Sequence, residues 1–467
     1  VVLTSFTIQS SLLKQASLRL PMTEVAANPK SSSFVVIWIG QVLSIIGSNL
    51  TGFAMSVWVY QQTGSVTKFS IVVLFTTVPG LVITPVVGTL IDRWDRRWLM
   101  IASNVWAALN TLGVAALFFF GKQQIWHICL LAAAFSMSSA VISPAFTASI
   151  SLLVPKRHLG RASGMMQFGE AAAQIVAPLL GGFLVLTIKI DGVLLIDFIT
   201  YTIAITTLLF VNIPKPTTQP REKESLLREA AFGWTYLIQR PGLFGLLLFL
   251  SLTNFTATMG NLLITPMVLS FADASVYGTL ISVMGVGLVA GSVLMSIWGG
   301  PKRRIYGVFG YGFLLGVSQI LEGVRPQAWL IGTGLLIGGI IAPVANGCII
   351  PILQTKTLPE IQGRVFATIR LISWCAIPLA YLLAGPLSDQ IFKPLLYPDG
   401  SLAGSVGKVI GVGPGRGIGL LLIVLGVGSI LTTFRAYFHP RLFNIEVEVP
   451  DALPDRVPAG VGSSVSV

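Results

Sequence analysis

Two charged side chains stand inside long apolar stretches of this chain of 467 residues. Glu170 follows Arg161 by nine residues, and Arg370 follows Arg364 by six. A carboxyl group held away from water favours its neutral, protonated form, which makes Glu170 a candidate proton carrier. Arg370 would then bind an anionic group or act as the counter-charge. The alternative is a static hydrogen-bonded pair that fastens two parts of the protein together.

A second group of charges lies in the sequence GTLIDRWDRRWLM, residues 88–100. Gly88 has no side chain, so a neighbouring helix can approach it closely. The Asp92 carboxylate can accept hydrogen bonds from the free N–H groups at the start of another helix, where the helix dipole favours an anion. The predicted role is a latch that closes one side of the molecule and breaks when that side opens. The basic residues pair with Asp92 or with lipid phosphates, or serve only as topology signals: Arg93, Arg96 and Arg97.

Uncharged polar residues in the apolar stretches are candidates for lining a cavity. They are Gln41, Asn49, Gln167, Gln174, Asn254, Asn261 and Asn346. Each alone is more often a bond between helices than a ligand contact. Asp197 lies closer to the expected outer interface and is a weaker candidate than Glu170.

Composition identifies the elements that must position these residues. The chain is 54% hydrophobic and 10% charged, with a mean hydropathy of +0.82, whereas a soluble domain carries about 25% charged residues. This predicts an all-α protein that crosses a membrane many times. The net charge of +12 does not indicate nucleic-acid binding, because the basic residues form short clusters between apolar runs instead of one basic face.

The apolar runs predict twelve transmembrane helices, since a bilayer core needs about 20 apolar residues per helix. The expected spans are 34–59, 68–91, 98–120, 125–152, 161–187, 192–213, 241–269, 275–299, 305–324, 328–354, 364–388 and 416–438. They form two pseudo-symmetric halves of six helices, 34–213 and 241–438. Tails of 1–33 and 439–467 complete the chain.

The distribution of Lys and Arg predicts the orientation. Of 30 such residues, 22 lie in the tails and the even-numbered connections, seven lie in the odd-numbered connections, and Arg370 lies within a span. The positive-inside rule therefore predicts that both termini lie in the cytoplasm. The expected location is the bacterial plasma (inner) membrane. The linker 214–240 carries apolar residues at helical spacing, which predicts an amphipathic helix at the cytoplasmic interface.

The two halves repeat one pattern. LLVPKRHLGRASGMMQ follows span four and TKTLPEIQGRVFATIR follows span ten. Each has a Pro, a few polar residues, Gly-Arg and then a helix, with Gly160-Arg161 in the first copy and Gly363-Arg364 in the second. Two copies in the same orientation six spans apart indicate a parallel repeat.

With these motifs the chain resembles the major facilitator superfamily over about residues 34–440. The stretch from Gly88 to Arg97 is similar to the family signature between spans two and three, although Asp95 stands where that signature often has Gly. IVAPLLGG is similar to a span-five motif of antiporters, with Ala177 in place of its first Gly; the matching residues are Ala177, Pro178, Gly181 and Gly182. The DRWDRR, LPEIQGRVFA and LLREAAFGWTYLIQRPG segments resemble the drug-efflux branch that includes macrolide exporters.

The resemblance implies a secondary active transporter that works by alternating access, functions as a monomer and needs no cofactor. It implies proton-coupled efflux of an amphipathic small molecule, with span eleven, near Arg364, as the partner of the Asp92 latch. Many members of this branch carry an acidic residue in span one, where this chain has IIGSNL, so proton coupling shifts to Glu170. The alternatives are a lipid or lysophospholipid flippase and, from another class, a receptor or scaffold that does not transport.

The remaining chemistry-bearing residues form no recognisable catalytic or metal-binding pattern in the sequence. Cys129, Cys348 and Cys375 lie in apolar stretches, where buried packing is the expected role. The three His residues are scattered, and a phosphate-binding Gly-Lys-Ser/Thr loop is missing from the sequence, so neither an enzyme nor ATP-driven transport is predicted. A further hypothesis is that translation starts at Met22, or that Val1 reflects an alternative start codon.

Overall fold

Twelve long helices make up most of the computed structural model, which describes residues 31–155, 158–211, 234–235, 238–357 and 362–448. All twelve are long and apolar enough to cross a membrane. They are α1 Ser31–Thr63, α2 Val66–Arg93, α3 Arg96–Phe119, α4 Ile125–Leu153, α5 Leu159–Thr187, α6 Lys189–Phe210, α7 Pro241–Leu269, α8 Ala274–Trp298, α9 Arg304–Val324, α10 Ala328–Thr355, α11 Gln362–Pro386 and α12 Arg416–Tyr437. The predicted fold class and number of spans are confirmed, with most ends within three residues of those expected.

Side-chain caps explain where several helices begin. The Ser65 hydroxyl accepts a hydrogen bond from the N–H of Lys68 at the start of α2, and the Asp95 carboxylate accepts one from Arg97 at the start of α3. Each cap satisfies an N–H group that has no partner within its helix. Asp95 is in an extended conformation, with φ −65°, so the sharp link between α2 and α3 is an N-cap and does not need the left-handed turn that a Gly would favour.

The bundle has two ends, which we name by the connections they carry. The proximal end holds the start of α1, the connections after the even-numbered helices and the end of α12. The distal end holds the connections after the odd-numbered helices, beginning with residues 64–65 between α1 and α2.

Buried side chains form separate cores at the proximal end and a joint core at the distal end. One proximal core contains only residues of the first half, such as Ile37, Met100 and Leu208. The other contains only residues of α7–α12 and the tail after them. The distal core mixes the two halves, with Phe53 of α1 stacked on Tyr277 of α8 at 5.0 Å between ring centroids. The two halves therefore pack together distally, while each has a core of its own proximally.

Two helix pairs, α2 with α11 and α5 with α8, provide most of the contact between the halves. The α5–α8 crossing is built on small residues: a Cβ added at Gly278 would lie 2.2 Å from the carbonyl oxygen of Pro178, and one at Gly182 would lie 2.6 Å from that of Ala274. Such spacing lets the two backbones touch. The antiporter-like motif, which contains Pro178 and Gly182, thus lies at the interface between the halves.

The segment after α12 docks on the proximal end of the second half. It forms two short helices, Pro440–Phe443 and Ile445–Glu448, whose Leu442 and Ile445 join the proximal core of that half. The Glu446 carboxylate accepts a hydrogen bond of 2.8 Å from the N–H of Arg304 at the start of α9. The predicted amphipathic helix in 214–240 lies outside the described residues, apart from 234–235 and 238–240.

The cysteines differ from the expectation at one position. Cys129 and Cys348 are buried in the distal core and the second proximal core, as expected, but Cys375 is exposed on α11. An apolar stretch in a membrane helix does not distinguish the face that packs on protein from the face that meets lipid or a cavity.

Candidate functional site

A cavity of about 240 Å³ lies in the first half, between α1, α4, α5 and α6. Its aromatic lining consists of Trp38, Phe135, Phe146 and Tyr201. Its polar lining consists of Gln41, Ser44, Ser48, Asn49, Ser139, Ser143 and Glu170. The combination of aromatic walls with a few polar groups is typical of small-molecule sites.

Three of the predicted site residues meet in this cavity. Glu170 of α5 faces Gln41 and Asn49 of α1, and it is the one charged side chain among the described residues that line the space. Gln41 is buried and its Nε2 has no hydrogen-bond partner within the described part of the chain. The Trp38 indole N–H donates to the carbonyl of Met165 at 3.0 Å, which fixes α1 against α5 beside Glu170.

The other polar candidates do not line this cavity. Gln167 and Gln174 are exposed on α5, Asn254 is half-buried on α7, and Asn261 and Asn346 are exposed in the second half. All the cavity's lining residues belong to the first half, although the sequence predicted a cavity with contributions from both.

The side chains of the predicted proximal latch and of Arg370 in the predicted charge pair are not among those that the structure describes. Gly88, Asp92 and Arg93 lie in the last turns of α2, and Arg364 and Arg370 lie on α11, but the side chains of these residues lie outside what the structure describes. The latch and the Glu170–Arg370 pair therefore stay predictions.

Arg96 and Arg97 donate hydrogen bonds to main-chain carbonyls of neighbouring helices. Arg96 donates to the carbonyl of Ala148 on α4 at 2.6 Å. Arg97 donates to the carbonyls of Leu208 at 2.9 Å and Leu209 at 2.6 Å, in the last turn of α6. Carbonyls in a last turn have no partner within their own helix and carry the negative end of its dipole, so a guanidinium is favoured there. These contacts tie α3 to its neighbours, and the predicted pairing with Asp92 or lipid phosphate stays a prediction.

Asp197, the weaker candidate on α6, is buried within the first half. Its side chain is 1% exposed, and its Oδ2 accepts hydrogen bonds from the hydroxyls of Thr51 at 2.9 Å and Thr111 at 3.0 Å. Ser48 and Tyr201, whose hydroxyl oxygens are 2.7 Å apart, line the cavity nearby. Asp197 therefore stands behind the cavity wall, one helical turn from Tyr201.

A buried carboxylate in the second half escaped the sequence reasoning. Glu322 of α9 is 4% exposed, and the hydroxyl of Ser318 donates to its Oε1 at 2.9 Å. An acidic residue within an apolar helix was the available signal, since Glu322 lies inside the predicted span 305–324, two residues before the end of α9.

The comparisons with known proteins agree with this architecture. The sequence model of the Major Facilitator Superfamily matches residues 37–381. Macrolide efflux protein A of Streptococcus pyogenes is 28% identical over 373 residues, covering 77% of this chain and 90% of that protein. Multidrug efflux pump Tap of Mycolicibacterium fortuitum is 23% identical over 380 residues, covering 78% and 90%.

Two solved structures share the fold at low sequence identity. A bacterial homologue of the human lysosomal transporter Spinster superposes with a TM-score of 0.64 at 13% identity, covering 88% of this chain and 97% of that one. The nucleoside transporter NupG gives 0.62 at 12% identity, covering 86% and 98%. The family match over most of the chain, the twelve apolar helices and these neighbours show that the chain belongs to the major facilitator superfamily of multi-pass membrane transporters.

Proposed function

We propose that this transporter exports an amphipathic small molecule in exchange for protons, by alternating access. The observation that carries the proposal is the Glu170 carboxylate, the one charge among the described residues that line an aromatic cavity. The relatives named as a macrolide efflux protein and a multidrug efflux pump support the direction and the type of substrate.

The cavity suits a molecule with an apolar body and a cationic group. Trp38, Phe135 and Phe146 offer aromatic surface, and an ionised Glu170 would pair with a substrate amine. A proton on Glu170 removes that charge and weakens the pairing, so proton and substrate would exchange at one carboxylate. At about 240 Å³ the cavity is smaller than a typical drug-binding pocket of roughly 300–1,000 Å³, so we infer that the rest of the substrate lies between the two halves.

The orientation follows from the positive-inside rule. With both termini in the cytoplasm, the proximal end faces the cytoplasm and the joint distal core closes the outer side. The structure would then be the state that takes up substrate from the cytoplasm of a bacterial cell, in which the protein is in the inner membrane.

The test is transport by the Glu170→Gln variant in proteoliposomes. With an acidic lumen, the wild-type protein should accumulate a radiolabelled macrolide against its gradient, while Glu170→Gln should lose this dependence on the pH difference. The matched control is Asp191→Asn, which removes an exposed acid at the distal end of the same half and should transport like the wild type. Unchanged gradient dependence in Glu170→Gln would exclude the carrier role of Glu170.

The substrate class is tested in the same vesicles. A fluorescent lysophospholipid replaces the macrolide, and the exposure of its headgroup in each leaflet is followed with an impermeant quencher. Translocation of the lipid without transport of the macrolide would replace export of a soluble amphiphile with lipid flipping.

A further inference from the structure

The distal end of α11 departs from regular α-helical geometry. After α11 the chain continues as a π-helix, Leu387–Phe392, and a last short turn, Lys393–Leu395. Segments of π-helix are rare and occur frequently at functional positions. This one carries Asp389, whose carboxylate points out of its own half of the molecule.

The Asp389 carboxylate binds the start of α2 in the other half. It accepts hydrogen bonds from the N–H of Thr67 at 2.8 Å and the N–H of Val66 at 3.2 Å. The hydroxyls of Ser65 and Thr67 each donate to it as well, both at 2.8 Å. Four donors from one helix start therefore converge on one carboxylate from the opposite half.

The contact is favourable for two physical reasons. The first N–H groups of a helix have no partner within it, and its dipole makes that end positive, so an anion is stabilised there. Hydrogen bonds to an ionised group are also about twice as strong as neutral ones. The Asp389 side chain is 18% exposed, so water screens these interactions only in part.

Lys393 strengthens the same junction. One turn after Asp389, its ammonium group pairs with that carboxylate and donates to the carbonyl of Gly64 at 3.2 Å, in the connection before α2. One turn before it, Gly385 packs so closely that an added Cβ would lie 2.4 Å from the Cα of Thr67. The junction is thus formed by three successive turns of the α11 end, all against the start of α2.

We propose that Asp389 is the latch of the distal end, stabilising the state in which that end is closed and breaking when it opens. The contact joins residues of the two halves, so separating the halves at this end must break all four of its bonds to α2. The arrangement parallels the one predicted proximally: there an acid at the end of α2 would bind the start of α11, and here an acid at the end of α11 binds the start of α2. The inference rests on transport by alternating access and not on the roles proposed for Glu170 or the substrate.

The experiment measures opening of the distal end directly. Spin labels are placed at Lys122→Cys and Gln327→Cys, two exposed positions in distal connections of opposite halves, after replacement of the three native cysteines. Pulsed electron–electron distance measurements then give the fractions of closed and open molecules. Asp389→Ala should raise the ratio of open to closed molecules by about tenfold. The variant removes the carboxylate that accepts the four hydrogen bonds from the start of α2, and these bonds stabilise only the closed state.

Two further variants keep the result interpretable. Asp399→Asn removes an exposed acid from the same connection and should leave the distances unchanged. Thr67→Val removes a single hydroxyl donor and should shift the ratio in the same direction but less, which preserves the test if Asp389→Ala fails to fold. Wild-type distance distributions in both Asp389→Ala and Thr67→Val would overturn the proposal and leave Asp389 as a static helix cap, whatever the outcome for Glu170.

Discussion

The Asp197 carboxyl group is 1% exposed inside a bundle of membrane helices. Its partners among the described residues are the hydroxyls of Thr51 and Thr111, and its Oδ1 has none. Burying a charge in such a place costs free energy, so a neutral side chain that keeps both hydrogen bonds should be tolerated there. An asparagine has nearly the same shape and can accept the same two bonds.

Asp197→Asn should therefore be at least as stable as the wild-type protein. Asp197→Ala should lose about 1–3 kcal/mol of stability, because it leaves two buried hydroxyls without their acceptor. Thermal unfolding of the purified variants in detergent measures both effects. If Asp197→Asn were as destabilised as Asp197→Ala, the ionised carboxylate would be the form that the structure requires.

Glu170 and Asp389 differ in the signal that each gives in the sequence. Glu170 is a charge in the middle of an apolar run, and the rarity of such a charge is what makes it a candidate for proton coupling. Asp389 could not be found this way, because a carboxylate at the end of a span looks like an ordinary connection residue. Its partner, the start of α2, lies more than 300 residues away in the chain, and only the packing of the two halves brings them together.

Helices of opposite halves cross one another at very short backbone distances. At Gly278 of α8 an added Cβ would meet the carbonyl oxygen of Pro178 on α5 at 2.2 Å. Backbone atoms cannot move aside as the tip of a long side chain can, so even one methyl group must push the helices apart. The contact it disturbs belongs to the distal interface.

Gly278→Ala should therefore favour the distal-open state and slow transport. The Lys122/Gln327 label pair should show more open molecules, and transport of the proposed substrate into proteoliposomes should fall. Gly52→Ala is the matched control, since an added Cβ there meets no atom within 4 Å and alanine is the better helix former. If both variants gave the same fraction of open molecules and the same transport rate, the α5–α8 crossing would accommodate a methyl group without moving the helices apart.

Hydropathy was sufficient to locate all twelve helices, because a bilayer imposes a length and a composition on each span. It was not sufficient for their ends. α1 extends to Thr63, four residues beyond the predicted 34–59, and the π-helix at Leu387–Phe392 has no hydropathy signal. Such features depend on capping and on contacts with the opposite half, which a window of apolar residues does not record.

At the scale of the whole molecule, the joint distal core and the two separate proximal cores indicate a single side from which the cavity can be reached. Ser143 of α4 lines that cavity, whereas Thr265 of α7 is buried near the distal end, with its hydroxyl 2.7 Å from that of Tyr277. A cysteine at Ser143 should react with a reagent that reaches it from the proximal side. A cysteine at Thr265 should react slowly from either side.

Labelling with a membrane-impermeant maleimide tests this asymmetry together with the orientation. In a background without the native cysteines, Ser143→Cys should react much faster in inside-out membrane vesicles than in intact cells, because the proximal end is expected to face the cytoplasm. Asp389→Ala should narrow the difference by letting reagent enter through the distal end, while Asp399→Asn should not. Faster reaction of Ser143→Cys in intact cells would mean that the proximal end faces outward or that the distal-open state dominates in the membrane. The distance between the spin labels at the distal end distinguishes these two explanations.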